Sequence, residues 1–109
     1  MVPEKLIAKC KSLKIIEERR REKDYYEIVI PAKDLEAWNS LLAQFFGPPS
    51  KAAGHEVSKE SIDLTRNYGS LRNEQILFKK ELEKFVCIAV LWMWKDGLHT
   101  TLKIASFGK

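Results

Sequence analysis

The sequence holds few residues of the kinds that staple a small domain together or bind a metal. Its 109 residues include 2 cysteines and 2 histidines, and no Cys-x-x-Cys or His-x-x-x-His spacing occurs. We therefore predict no metal ligands and no cofactor. Cys10 and Cys87 lie among apolar neighbours, which favours buried, reduced thiols over a disulfide.

Glycine is also scarce, and its distribution excludes the common phosphate cradles. The 5 glycines are scattered, no serine lies in a Gly-x-Ser-x-Gly motif, and neither cysteine neighbours a histidine. We assign no catalytic residues and favour a protein that is not an enzyme. A small enzyme or ligand carrier stays an alternative, and it would need a pocket that holds His55 or His99.

Long hydrophobic runs are missing. The longest, Phe85 to Trp94, has ten residues, about half of the roughly 20 that a membrane helix needs. It is rich in β-branched and aromatic residues, which indicates a strand. The first residues also lack the apolar segment of a signal peptide. We therefore expect a soluble, cytoplasmic protein with no membrane contact.

The composition that is present indicates a folded α+β domain. Hydrophobic residues make up 45% and charged residues 31% of a chain whose length suits one domain over residues 1–109. We predict an antiparallel or mixed sheet of about five strands packed against two or three helices, with a C-terminal three-stranded meander.

In the first third, the spacing of Leu6, Cys10 and Leu13 predicts a helix over residues 4–12. The run Tyr25 to Ile30 predicts a strand that Pro31 ends. Residues 21–24 would join it to a preceding strand as a charged hairpin tip. One long helix reaching Arg21 is the alternative.

The central third contains the most regular helical pattern. Apolar residues at 35, 38, 41, 42 and 45 predict a helix over residues 34–46, which Asp34 caps and Gly47 ends. Residues 47–57 form a long loop rich in proline, glycine and small residues, which is either functional or mobile. Ser58 is expected to cap a short helix through Asn67, with Gly69 ending it.

The last third predicts three consecutive strands over residues 75–82, 85–94 and 98–107. A three-residue loop, Lys95 to Gly97, would pair Trp94 with Leu98 and Val90 with Leu102, and so would sort apolar residues onto one face. A two-residue loop would instead pair Trp94 with His99 and Val90 with Lys103. We favour the three-residue loop because the alternative mixes apolar and charged side chains.

The functional predictions depend on this register. It places Trp92 and Trp94 with Trp38 in the core under the helices, although an exposed stacking platform is the alternative. The other side of the ribbon is half polar and becomes the candidate partner-contact face, although covering by the chain's own helices is the alternative. Its residues are Leu91, Met93, His99, Thr101, Lys103 and Phe107.

Charge suggests a second surface. The net charge is +4, and residues 1–23 hold eight Lys/Arg against four Glu. This N-terminal excess of positive charge is centred on Arg19, Arg20 and Arg21, with Lys23 nearby. The cluster is a candidate contact for nucleic acid or an acidic partner, although nearby glutamates neutralise much of its electrostatic field. The leading hypothesis is a non-catalytic protein-binding or self-assembling module, and weak nucleic-acid binding is the alternative.

Overall fold

The structure, a computed structural model of the chain, describes residues 2–69 and 71–108. Over these residues the chain forms one five-stranded sheet with three α-helices and two short 3-10 turns. The helices are α1 (Glu4–Cys10), α2 (Leu35–Phe46) and α3 (Lys59–Thr65). The strands are β1 (Glu17–Arg21), β2 (Tyr25–Pro31), β3 (Ile76–Glu81), β4 (Phe85–Met93) and β5 (His99–Gly108).

The strands lie in the order β1-β2-β5-β4-β3, and each neighbouring pair is antiparallel. The predicted α+β fold is confirmed, and so is the C-terminal meander of β3, β4 and β5. Since all described pairs are antiparallel, the sheet is not mixed.

The first third follows the hairpin prediction. The helix α1 ends at Cys10, β1 and β2 pair, and Glu22 N–H donates to the Tyr25 carbonyl at 2.8 Å across the tip. The alternative of one helix reaching Arg21 is wrong. The strand β1 consists of five charged residues, is fully exposed and contains a register shift between Glu18 and Arg20. Short, charged and bulged edge strands resist pairing with other chains.

The central helix α2 buries Trp38, Leu41 and Leu42 of the predicted stripe, whereas Leu35 and Phe45 are only partly buried and Phe46 is buried beside them. The helix ends at Gly47, whose φ of 83° is a conformation that favours glycine. Asp34 occupies the N-cap position, but its side chain makes no capping hydrogen bond. Ser58 does cap α3, because its hydroxyl accepts from Ser61 N–H at 3.1 Å. A 3-10 turn over Arg66–Tyr68 then leads to Gly69.

The long loop is anchored by a buried lysine. Lys51 is 4% exposed, and its backbone pairs with Leu77 at the edge of β3. Its ammonium donates to the backbone carbonyls of Ala52, Asn73 and Gln75. The loop is therefore fastened to the turn before β3. Its role in function stays a prediction.

The predicted register of the last hairpin is wrong. Trp94 N–H donates to the His99 carbonyl at 2.9 Å, and Val90 lies opposite Lys103, as in the rejected alternative. The connection has four residues, Lys95 to Leu98, and the Asp96 carboxylate accepts from Leu98 N–H at 2.8 Å and His99 N–H at 3.1 Å. The prediction assumed that one side of the ribbon is buried, whereas β4 is buried on both.

The first face of the sheet is covered by α1 and α2. Leu6 and Cys10 from α1, and Trp38 and Leu42 from α2, are fully buried against it. Its strand residues are Tyr26, Ile28, Ile30, Ile76, Phe78, Cys87, Ala89, Leu91, Leu102 and Ile104. Trp38 is in the core as predicted.

On the second face, the described residues cover only one half of the strands. Leu64, Tyr68 and Leu71 pack against the strand residues Leu77, Val86, Ile88, Val90 and Ala105. Trp92 lies on this face and is partly exposed, as is Trp94 at the end of β4. The prediction that α1 and α2 bury these two indoles is wrong, since those helices cover Leu91 and its neighbours instead.

Candidate functional site

The uncovered half of the second face forms a shallow depression of about 360 Å³, which we call the basin. Trp92, Trp94 and Met93 supply its apolar surface. Its charged lining is Arg19, Arg72, Lys95, Lys103, Glu27 and Glu74. Gln75 and Thr101 complete the described lining. The basin therefore places two partly exposed indoles among six charged side chains, an arrangement that suits contact with another molecule.

Trp94 is held in place by polar contacts at its edge and on its ring. Its indole N–H donates to Thr101 Oγ1 at 2.7 Å, and the His99 ring lies 4.7 Å away. The Arg19 guanidinium lies 5.3 Å from the ring centroid, within the range of a cation–π contact. The ring is therefore fixed before any ligand arrives.

Arg19 reaches this position because it occupies the register shift in β1. A bulge turns a side chain away from the regular alternation of a strand. Its Nε lies 2.9 Å from a Glu17 carboxylate oxygen, and a second nitrogen lies 3.9 Å from Glu27. Because Arg19 is 42% exposed, these ion pairs hold it only weakly and leave it able to move.

Trp92 is bounded by Lys103 and by the chain after the second 3-10 turn. The Lys103 ammonium lies 4.9 Å from the indole centroid and donates to the Tyr68 carbonyl at 3.0 Å. A Cβ added at Gly69 would lie 3.1 Å from the Trp92 ring, and the φ of Gly69 is 105°. Glycine at this position lets the backbone approach one edge of the ring while the rest faces the basin.

The charges of the basin have a cationic excess. Four of its described side chains are cations and two are carboxylates. One of these carboxylates, Glu27, already accepts a hydrogen bond from the Tyr25 hydroxyl. Burial and this glutamate raise the pKa of Tyr25. A site with this balance favours a ligand that carries negative charge.

The six residues of the predicted partner face do not share one side of the sheet. Thr101 and Lys103 line the basin, and His99 packs against Trp94 beside it. Phe107 lies under Tyr68 in the covered half of the second face, with its ring 6.2 Å from the tyrosine ring. Leu91 is fully buried on the first face.

Met93 lies between the first-face core and the basin. It packs against that core at the end of β4, and it also lines the basin.

The predicted basic cluster is also divided. Arg19 lines the basin, and Arg20 lies over the Tyr25 ring in a neighbouring cleft, where it pairs with Glu22. Hydrogen bonding to Glu22 raises the pKa of Arg20. Arg21 and Lys23 are exposed and line neither depression.

Sequence reasoning missed Glu27, Arg72, Glu74, Gln75 and Lys95, and it placed both late tryptophans in the core. One signal could have corrected the tryptophans. The nearly continuous apolar run over residues 85–94 is typical of a central strand buried on both faces. No such signal identifies residues 72–75, whose turn is held by the Lys51 ammonium and by hydrogen bonds between Arg72 and Gln75.

Metal binding and thiol reactivity have little support among the residues that the structure describes. No group of His, Cys, Asp or Glu among residues 2–69 and 71–108 could hold a metal ion. Cys10 and Cys87 are buried as predicted, and burial raises the pKa of each thiol to about 12, which disfavours a reactive thiolate.

An apolar groove of about 520 Å³ lies between α2, the 47–57 loop and β3. Its described lining contains neither His55 nor His99, and a ligand-carrier or enzymatic role for the histidines stays a prediction.

None of the helices in the described chain is long and apolar enough to cross a membrane. In comparisons with known proteins, no family model, no curated protein and no solved structure matches the chain.

Proposed function

We propose that the basin binds single-stranded nucleic acid, with Trp92 and Trp94 stacking against unpaired bases and the surrounding cations binding phosphates. The observation that carries this proposal is the pair of partly exposed indoles on an uncovered sheet face, each with a cation over its ring. Stacking on aromatic side chains inside a basic groove is how proteins bind single strands without reading their sequence.

The spacing of the indoles favours a single strand over a duplex. Side chains two residues apart on one strand lie about 6.6 Å apart. Neighbouring bases of a duplex strand are about 3.4 Å apart and are already stacked on each other. An unstacked, extended strand can therefore give one base to each indole, while a duplex cannot.

The cations over the rings do not block this binding. A cation–π contact at an exposed site contributes about 0.5–1 kcal/mol, and a stacked base contributes about 1–3 kcal/mol. A base therefore displaces Arg19 or Lys103 from its ring at a net gain. The displaced cation remains beside the base, where it can bind a phosphate.

The test is a fluorescence titration with a labelled thymidine hexanucleotide, (dT)6, at 20 and 200 mM salt. If about three phosphates are neutralised, the affinity falls roughly a hundredfold between these two salt concentrations. Arg19→Ser and Lys103→Ser should each weaken binding about tenfold at low salt. Arg21→Ser and Lys23→Ser are matched controls from outside the basin, and they should change it less than twofold.

Two outcomes would overturn the proposal. One is the absence of (dT)6 binding at 20 mM salt. The other is an equal loss of affinity in all four variants, which would assign binding to the overall positive charge of the protein and not to the basin.

A protein partner or a second copy of the chain is the second candidate, and one observation favours it. Leu98, in the loop after Trp94, is 68% exposed, and tryptophan, methionine and arginine are enriched in protein interfaces. Self-association would appear in light scattering as a mass that rises with protein concentration and depends little on salt. A constant monomer mass would exclude the self-assembling form.

A further inference from the structure

A second depression lies on the same face of the sheet, next to the basin. This cleft has a volume of about 280 Å³ and lies between the tip of the β1–β2 hairpin and the second 3-10 turn. Its described lining is Arg20, Glu22, Tyr25, Asn67, Tyr68 and Lys103. Lys103 also lines the basin, so the two depressions meet at one ammonium group.

The cleft repeats the arrangement found twice in the basin. The Arg20 guanidinium lies 5.0 Å from the Tyr25 ring centroid, as Arg19 lies over Trp94 and Lys103 over Trp92. Arg20 is 56% exposed and is free to leave the ring, since its ion pair with Glu22 is also exposed. The ring beneath it is the third aromatic surface on this side of the sheet that a cation covers.

The floor of the cleft is rigid. The Tyr25 ring stacks on Tyr68 with centroids 5.8 Å apart and planes inclined by 12°, and Tyr68 stacks in turn on Phe107. The Tyr25 hydroxyl is held by Glu27. A ligand therefore meets a prepared aromatic surface and displaces only the mobile guanidinium.

The sheet register gives the distance between the sites. Trp92 lies beside Thr101, and Tyr25 lies beside Ala105, so the two rings are four residues apart along β5 and two strands apart across it. These offsets correspond to about 13 Å along and about 9.6 Å across the sheet, or about 16 Å in total. An unpaired nucleic-acid strand that keeps the roughly 6.6 Å base spacing set by the two indoles covers this distance in two to three nucleotides.

We propose that the cleft is a second nucleotide subsite, in which a base stacks on Tyr25 and Lys103 binds the phosphates between this base and the one on Trp92. This inference rests on the proposed function of the basin. The complete site then takes about five consecutive unpaired nucleotides. Asn67, an exposed amide with both donor and acceptor groups, lies where it can contact the edge of the base on Tyr25.

The test is a length series of thymidine oligonucleotides, (dT)3, (dT)6 and (dT)9, read by quenching of tryptophan fluorescence at 20 mM salt. For the unaltered protein, the affinity should rise about tenfold from (dT)3 to (dT)6 as one more base stacks, and then change little at (dT)9. Arg20, once displaced from the ring, stays beside the base and can bind its phosphate, as Arg19 does in the basin. In Arg20→Ser, which removes this cation, and in Asn67→Ala, the gain at (dT)6 should fall to less than threefold, while the affinity for (dT)3 stays unchanged.

Arg66→Ser is the matched control, because Arg66 is an exposed arginine that begins the same 3-10 turn and pairs with Asp63 away from the cleft. It should keep the full gain with length. A tenfold gain in Arg20→Ser, or no gain in the unaltered protein while (dT)3 still binds, would overturn the second subsite and leave the basin standing. If no oligonucleotide binds, the proposed function fails, and the subsite fails with it.

Discussion

The two faces of the sheet bury their side chains in different ways. On the first face two helices cover the strands, and Trp38, Leu91 and their neighbours are removed from water. On the second face one short helix and its following turn cover half of the strands. The remaining half holds two partly exposed indoles, each with a cation over its ring. Helices close the first face, whereas the described residues leave half of the second face uncovered.

The contrast shows that aromatic content alone does not identify a core. Trp38 and Trp94 are equally apolar, yet one is fully buried and the other faces the basin beside Arg19. What separates them is the covering element and the charges nearby.

The largest expected effect comes from truncating neighbours on opposite faces. Leu91→Ala removes a fully buried side chain from the first face and should cost about 3 kcal/mol of unfolding free energy. Trp94→Ala removes a larger but partly exposed side chain and should cost about 1 kcal/mol. Urea unfolding measures both. Equal losses would show that the second face is as deeply buried as the first.

Gly69→Ala should destabilise the covered half of the second face by about 2 kcal/mol, because it combines an unfavourable φ with a Cβ against Trp92. Gly54→Ala is the control, since its φ is 83° and nothing lies within 4 Å of an added Cβ. Thermal unfolding should show a clearly larger loss at Gly69, together with a shift in tryptophan emission. The same loss in both variants would mean that the contact with Trp92 is unimportant.

The buried thiols lie on the first face, and they predict that the free energy of unfolding depends on pH. Burial raises the pKa of Cys87 from 9.0 to about 12, so the folded chain holds this proton while the unfolded chain releases it. The associated stability is complete below pH 9 and is lost as the pH rises toward 12, by on the order of 1 kcal/mol at pH 10.

Urea unfolding at pH 8, 9 and 10 should therefore show a decline that is shallower in Cys87→Ala. A decline of identical slope in this variant would assign the pH dependence to other groups.

The smallest expected effect is at the hairpin loop. Backbone N–H groups and His99 lower the pKa of Asp96, so its stabilising contribution is present above pH 3.8 and is lost as the pH falls through the lowered pKa. Asp96→Asn should lower the melting temperature slightly at pH 7 and leave it unchanged near pH 2. A difference that persists at low pH would exclude the charge as its source.

Most of the architecture could be predicted because it depends on local patterns. The run Tyr25 to Ile30, the stripe of α2 and the cap at Ser58 each determine their element without distant contacts. The register of the last hairpin could not, because it depends on Leu64, Tyr68 and Leu71, which cover the second face from far along the chain. Lys103 can lie opposite Val90 because its ammonium reaches the Tyr68 carbonyl.

The candidate site could also be predicted only in part, because contacts distant in sequence bring some of its residues together. Arg19, Thr101 and Lys103 stood out by type and position, and they do meet in the basin. The two indoles were placed on the wrong face together with the register. Residues 72–75 lie in a turn that the Lys51 ammonium helps to hold, and no local pattern encodes this contact.

The most direct test of the difference between the faces is the indole region of a proton–nitrogen correlation spectrum, recorded as (dT)6 is added at 20 mM salt. Single Trp→Phe variants assign the signals of Trp38, Trp92 and Trp94. We predict that the signals of Trp92 and Trp94 shift and return at 200 mM salt, while the signal of Trp38 stays in place. Unchanged signals from both late indoles, or a shift confined to Trp38, would contradict the account.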